Sequence, residues 1–187
     1  MCLGAATSFR PAISHARWDD NFWAARRVAA FTDDLIRAAV DAGQYTDTDA
    51  TAHLVHVLAA RRQKIAARYL TPVNPIVDVT MTPEGHVSFA NAAVDAGVAS
   101  PPSAYRATWF TFDNATRAST PLAENAGPAP PLAPPRGIAC ADGAFVRVDL
   151  SADSADHPAW QVPLQSFFRC DATTWTLVGL ERSPPVP

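Results

Sequence analysis

The chain has 187 residues, of which 48% are hydrophobic and 18% are charged, so it has enough apolar material for a packed core and is not disordered throughout. Its net charge of −3 disfavours nucleic-acid binding, because neutralising phosphate groups requires a surplus of basic residues. No apolar run approaches the roughly 20 residues that a membrane-spanning helix needs. We therefore expect neither a nucleic-acid partner nor a transmembrane segment.

The composition changes near residue 71. Of the 17 prolines only Pro11 lies in residues 1–70, and the formal charge is +2 there against −5 in residues 71–187. Because proline is excluded from helix interiors, the change predicts an α+β chain. We expect a helical segment at residues 1–75, followed at residues 76–187 by an antiparallel β-sandwich-like domain.

Residues 1–75 predict three helices, at about 19–31, 32–43 and 46–70. Asp19 and Asp20 can cap the first helix and Thr32 the second, because their side chains accept hydrogen bonds from free amide groups. The third helix is expected to begin at Thr46 or Thr48, where the acidic residues Asp47 and Asp49 complement the helix dipole. The apolar residues of the third helix recur at helical spacing, which predicts that Leu54, Leu58, Ile65 and Tyr69 form its buried stripe. Pro72 ends this helix.

Residues 76–187 predict about seven short antiparallel strands, from alternating residue types and the turn residues between them. Their expected bounds are 76–81, 86–90, 105–112, 117–122, 144–150, 162–169 and 174–181. Residues 123–136 contain five prolines and predict an extended connector. Seven strands fit a small β-sandwich or a partly closed barrel, and a curved sheet wrapped on the helices is the alternative.

Two of the three cysteines flank adjacent predicted strands: Cys140 precedes strand 144–150 and Cys170 follows strand 162–169. If strands 144–150 and 162–169 pair antiparallel, Cys140 and Cys170 come close enough for a disulfide; the alternative is two separate thiols. A disulfide favours an oxidising compartment, so we expect an exported or periplasmic protein. Lipid attachment at Cys2 is a further hypothesis, and it requires a longer precursor.

Residues with catalytic or metal-binding chemistry are sparse. His53 and His56 lie three residues apart on the third helix, with Asp49 one turn earlier, yet two histidines on a solvated helix flank explain this pattern as well. Zinc-protease, nucleophile-elbow and phosphate-loop motifs are missing from the sequence. We therefore expect no enzymatic activity, no cofactor and no metal.

Three features point to binding instead. Trp160 follows Pro158 in a predicted loop and is the best candidate for an exposed aromatic anchor, since tryptophan is enriched at interface hot spots. Arg61 and Arg62, near the end of the third helix, are candidates for an acidic partner, although a charged helix end needs no partner. The loop that holds Asp156 and His157 beside Trp160 is the candidate carbohydrate site.

The helical stretch FWAARRVAAFTDDLIRAAVDAGQYTDTDATAHLVHVLAARRQKIAARYLTPVNP, at residues 22–75, resembles a segment near the C-terminus of large uncharacterised bacterial proteins, where a β-rich tail follows. The resemblance implies a module that elsewhere is attached to something larger. We therefore expect a non-enzymatic accessory subunit that docks onto a larger protein or a membrane-associated complex. A carbohydrate- or small-ligand-binding module is one alternative, and a metal-dependent hydrolase is another.

Overall fold

A computed structural model of the chain describes residues 17–136 and 138–183, so the expectation about Cys2 lies outside the described residues. Within these ranges the predicted α+β class is confirmed: a three-helix N-terminal segment precedes seven strands in two antiparallel sheets. The elements are α1 (Trp18–Ala29), α2 (Asp33–Asp41), α3 (Thr48–Leu70), β1 (Ile76–Met81), β2 (Val87–Asn91), α4 (Ala92–Asp95), β3 (Ala104–Phe112), β4 (Ser119–Gly127), β5 (Phe145–Asp153), β6 (Leu164–Asp171) and β7 (Thr174–Arg182). A 3₁₀ helix, Pro158–Gln161, lies between β5 and β6. No helix in these ranges has the length and apolar character needed to cross a bilayer.

Each of the first three helices begins where a side chain accepts a free amide hydrogen. The Asp20 carboxylate accepts from the amide three residues before it (3.1 Å), at the start of α1. Thr32 Oγ1 accepts from the amide three residues on (3.2 Å), and Asp47 accepts from amides two and three residues on (2.9 and 3.1 Å). These bonds satisfy amide groups that have no partner within the helix.

The five-stranded sheet has the strand order β4-β3-β5-β6-β7, and β1 and β2 form a separate hairpin. Side chains alternate along β5, along β6 and along β3 up to Trp109, so that one face of the large sheet is buried and the other is mostly half-buried. The buried face, called the inner face below, contributes Trp109, Val148 and Phe168 to one core. Phe22 and Leu70 of the helical segment belong to the same core, so helices and sheets fold around shared apolar contacts.

The predicted connector at residues 123–136 is wrong in its first five residues. Residues 123–127 continue β4 and pair with β3, for example Glu124 with Thr108. They contain no proline, and β4 is an edge strand that pairs on one side only, so Pro121 within it is tolerated. The proline-rich part at residues 128–136 also packs on the fold. Its Leu132 is buried and exchanges two backbone hydrogen bonds with Val87 of β2 (2.9 and 3.0 Å).

Asn74 connects the end of the helical segment to the large sheet. Its buried side-chain amide donates to the carbonyl oxygens of Leu150 (2.8 Å) and Val162 (2.9 Å), and its Oδ1 accepts from the amide of Ile76 (3.0 Å). One side chain thus provides hydrogen-bond partners for three backbone groups on separate segments. Leaving these groups without partners inside the protein would cost free energy.

Arg182, at the end of β7, forms a second connection. Its guanidinium donates to the carbonyl oxygens of Asn74 (2.9 Å) and Ile76, and its Cζ lies 4.3 Å from the centroid of the Phe22 ring in α1. Burial, with a smaller contribution from the nearby charge of Arg26, lowers the pKa of Arg182 to about 10. The cation is retained here because backbone carbonyls and an aromatic face replace its water.

Candidate functional site

The helical segment carries an exposed apolar groove that encloses about 400 Å³. Phe31 is 57% exposed, and Leu58 and Ile65 are 36% exposed each. The residues that define this helical groove are Val28, Phe31, Ile36, Ala39, Leu58, Arg61, Arg62 and Ile65. Its lining is therefore contiguous apolar surface bordered by two cations, which differs from the scattered apolar residues of an ordinary protein surface.

The predicted buried stripe of the third helix is wrong at three of its four positions. Leu58, Ile65 and Tyr69 are exposed, Leu54 is half-buried, and the buried residues are Val55, Ala66 and Leu70. Ala66 is small enough for α3 to pack closely against α1. A prediction based on the spacing of large apolar residues misses such a contact position. The displaced residues Leu58 and Ile65 face the groove.

The groove lies between two separate packing clusters along α3. At one end Val55 packs with Ile36 and Val40 of α2 in a small cluster. At the other end Ala66 and Leu70 join the main core. The nine-residue α2 is too short to cover the stretch of α3 between the clusters, so that stretch stays open to solvent.

The two predicted interface arginines have different environments. Arg62 Nη1 donates to the carbonyl oxygen of Phe31 (2.6 Å), and Arg62 Nη2 pairs with Asp33 (2.8 Å). Its side chain is only 17% exposed, so it holds the α1–α2 connection against α3. Arg61 is exposed and makes no ion pair or side-chain hydrogen bond with any residue that the structure describes. Arg61 is thus the cation that remains available at the groove rim.

The prediction that Trp160 is an exposed anchor is wrong. The 3₁₀ helix turns its side chain into the core, where it is 0% exposed and its Nε1 donates to the carbonyl oxygen of Thr71 (3.0 Å). His157 stacks on it with ring centroids 4.6 Å apart. Because the indole has no free face, the loop that contains Asp156 and His157 lacks the stacking surface that a carbohydrate site there requires.

Cys140 and Cys170 form a disulfide with their Cα atoms 5.4 Å apart. The antiparallel register between β5 and β6 places the start of one strand beside the end of the other. The amide of Cys170 donates to the carbonyl oxygen of Ala144 (2.8 Å), which continues this pairing toward Cys140. The bond fixes the residues before β5 to the end of β6.

The candidate metal residues stay apart from other ligands. His53, His56 and Asp49 are all exposed on α3. Among residues 17–136 and 138–183 no group of three or more histidine, cysteine, aspartate or glutamate side chains is placed to hold a metal ion.

A second cleft, of about 230 Å³, lies beneath α1, and the sequence patterns did not reveal it. Asp78 lies at a bulge of β1 with a positive φ of 53°, and both its carboxylate oxygens accept from Arg26 (2.8 and 3.0 Å). Burial, and then repulsion from Asp78, raise the pKa of Asp95 on the far side of the cleft. The ion pair between Arg26 and Asp78 connects α1 to the β1–β2 hairpin. Because the Asp78 carboxylate is already paired, we interpret the cleft as part of this structural contact.

The chain matches no protein-family model, no curated protein and no solved structure. Its functional assignment therefore depends on the geometry of its own residues. The helical groove offers apolar side chains for desolvation and, at Arg61, a cation that has no ion pair among the described residues. This combination is suited to binding another macromolecule.

Proposed function

We propose that the chain is a non-enzymatic accessory subunit that docks onto a partner protein through the helical groove. The observation that carries this proposal is the contiguous exposed lining of Phe31, Leu58 and Ile65, with Arg61 at its rim and no ion pair to Arg61 within residues 17–136 and 138–183. An apolar surface of this kind costs solubility unless a partner covers it, and such surfaces mark interaction sites.

The occupant that fits best is an amphipathic helix of the partner. A trough between packed helices accepts the apolar face of another helix, whose side chains recur at positions i, i+3 or i+4 and i+7. Among the described residues that line the groove, none carries a carboxylate. An aspartate or glutamate on the partner helix is therefore expected to pair with Arg61 and to fix the direction in which the helix lies.

The disulfide supports an exported location, because such bonds persist in oxidising compartments such as the periplasm. The partner would then be a larger protein or a membrane-associated complex in the same compartment. The resemblance expected from the sequence of residues 22–75, a stretch that contains α2, α3 and most of α1, is consistent with the same proposal.

Charge substitutions in the groove test the proposal. The full chain is recovered from its native cells in mild detergent, and co-purifying proteins are quantified by mass spectrometry. We expect Leu58→Glu to lower the recovery of a stoichiometric partner at least about tenfold, because a buried unpaired carboxylate opposes docking. Arg61→Glu is expected to weaken recovery by repelling the acidic partner side chain. Leu122→Glu is the matched control, since Leu122 is also exposed (45%, against 36% for Leu58) but lies on β4.

Two outcomes contradict the proposal. Equal recovery with the Leu58 and Leu122 variants would place the interface elsewhere. The second outcome is that residues 1–16 of the chain itself occupy the groove. Deletion of residues 1–16 would then allow an apolar dye to bind, and adding Leu58→Glu to the deletion would abolish that dye binding. Circular dichroism of each variant checks that the fold is intact.

A further inference from the structure

The face of the large sheet that points away from the core, called the outer face below, gathers phenylalanine side chains. The rings of Phe112 in β3 and Phe167 in β6 have centroids 5.0 Å apart, although β5 runs between their strands. Adjacent strands are about 4.8 Å apart, so these strands are separated by roughly 10 Å. The two rings therefore lean toward each other, and Phe145 joins them with its centroid 6.4 Å from that of Phe112.

The centre of the outer face is largely screened from water. Arg147 and Asp149 form an ion pair there (2.9 Å) with side chains only 18% and 12% exposed. The Phe110 ring lies 3.9 Å from Arg147 Cζ, and burial raises the pKa of Asp149 despite the nearby arginine. Side chains on a solvated sheet face are usually more exposed than these, so the outer face is a formed, partly desolvated surface.

A cleft of about 300 Å³ opens beside the phenylalanine cluster. It forms where Gly179 of β7 has no side chain to fill the outer face next to Phe167. Three exposed polar residues border it: Asn114 and Arg117 from the β3–β4 turn, and Glu181 from β7. Their side chains make no hydrogen bond or ion pair with the part of the chain that the structure describes.

We propose that this outer-face cleft binds a neutral saccharide ring. The phenylalanine cluster offers an apolar floor for the C–H face of a sugar. Asn114 both donates and accepts hydrogen bonds, Arg117 donates and Glu181 accepts, which matches hydroxyl groups that do both. The opposite charges of Arg117 and Glu181 sum to zero, so the rim favours a neutral ligand over a charged one. The cleft volume is at the lower end of small-molecule sites and accommodates one or two rings.

This site is separate from the helical groove and from the loop at Asp156. The carbohydrate-binding alternative is thus moved from the Asp156 loop to the outer face of the sheet. The residue alternation along β3 and β7 predicts strands there but gives no sign of a binding site. The inference is independent of the docking proposal, because no residue is shared between the cleft and the groove.

Titration calorimetry of the full chain with maltohexaose, cellohexaose and chitohexaose tests the inference. We expect at least one oligosaccharide to bind, and Gly179→Val to abolish that binding by filling the cleft floor. A Cβ at residue 179 lies at ordinary contact distance from Phe167 (3.5 Å), and residue 179 lacks a positive φ, so the variant is expected to fold. Glu181→Gln and Asn114→Ala, both at exposed positions, are each expected to weaken binding about threefold to tenfold.

Asp156→Ala and Leu58→Glu are the matched controls and are expected to leave binding unchanged. Absence of binding for all three oligosaccharides at millimolar concentration would overturn the inference. Binding that survives Gly179→Val would also overturn it, because the ligand would then occupy another surface. A docking partner recovered in the absence of saccharide binding would leave the accessory role standing and this inference refuted.

Discussion

The indole N–H of Trp160 donates a hydrogen bond to the carbonyl oxygen of Thr71 at 3.0 Å, across 89 residues of sequence. Thr71 is the C-cap of α3, where carbonyl groups lack partners within the helix. The 3₁₀ helix before β6 therefore completes the end of the long helix. A residue whose loop context indicated a surface role instead joins the two halves of the fold.

Trp160→Ala is expected to destabilise the chain by about 3–5 kcal/mol, because it removes a large buried ring and leaves a cavity. Trp160→Phe retains most of the apolar volume but leaves the Thr71 carbonyl unpaired, which costs about 1–3 kcal/mol. Urea unfolding followed by far-ultraviolet circular dichroism measures both values. A loss below about 1 kcal/mol for the alanine variant would show that Trp160 lies outside the core.

Asn74→Ala is expected to cost at least about 2 kcal/mol, because two buried backbone groups and one partly buried one lose their partner at once. Asn114→Ala is the matched control: its side chain is exposed, and its loss should change stability by less than about 0.5 kcal/mol. Urea unfolding of the two variants side by side measures the difference. Equal stabilities would mean that the Asn74 hydrogen bonds contribute nothing.

Reduction of the Cys140–Cys170 disulfide is expected to lower the free energy of unfolding by about 3–4 kcal/mol. The bond closes a loop with a sequence separation of 30, and restricting a loop of that length in the unfolded chain gives a value of this size. Unfolding midpoints with and without dithiothreitol measure the effect. The double variant Cys140→Ser, Cys170→Ser is the control, and its stability should not respond to the reductant.

Asp113 gives the β3–β4 turn a dependence on pH. The amides of Thr116 (3.2 Å) and Ala115 (2.8 Å) donate to its carboxylate, and these bonds lower the pKa of Asp113 below its usual 3.8. A carboxyl whose pKa is lower in the folded state stabilises that state above the unfolded pKa, and it loses this contribution as pH falls through the folded pKa.

The variant Asp113→Asn keeps an acceptor oxygen that does not titrate. We therefore expect the urea midpoint of the unmodified chain to fall more steeply than that of Asp113→Asn between about pH 5 and pH 2. Parallel curves for the two proteins over this range would contradict the assignment.

The elements were predictable wherever a local cause determines them. Thr32 was correctly predicted as a helix cap, because its side chain accepts a hydrogen bond from an amide of the same turn. Strand 76–81 was predicted with its observed bounds. The end of β4 was missed because residues 123–127 have weak strand preferences, and their pairing with β3 is decided across the sheet. The prolines correctly indicated an irregular segment after β4, but they did not show that the strand extends to Gly127.

The candidate site was less predictable, because exposure depends on what packs from elsewhere in the chain. Leu58 and Ile65 have helical spacing, which is equally typical of a core stripe, and only the short length of α2 leaves them open. Trp160 is buried because α3 ends above it, a contact between distant segments. Arg61 and Arg62 are neighbours in sequence, yet the Phe31 carbonyl and Asp33 engage only the second.

The most direct test of the docking proposal is site-specific photo-cross-linking in the native cells. A photoreactive residue replaces Leu58 in the groove or, as the control, Leu122 on β4. The proposal predicts a covalent adduct from residue 58 with a single partner protein, joined through an amphipathic helix that carries an acidic residue, and no such adduct from residue 122. Adducts that are equal at both positions, or adducts of the chain with itself alone, would contradict it.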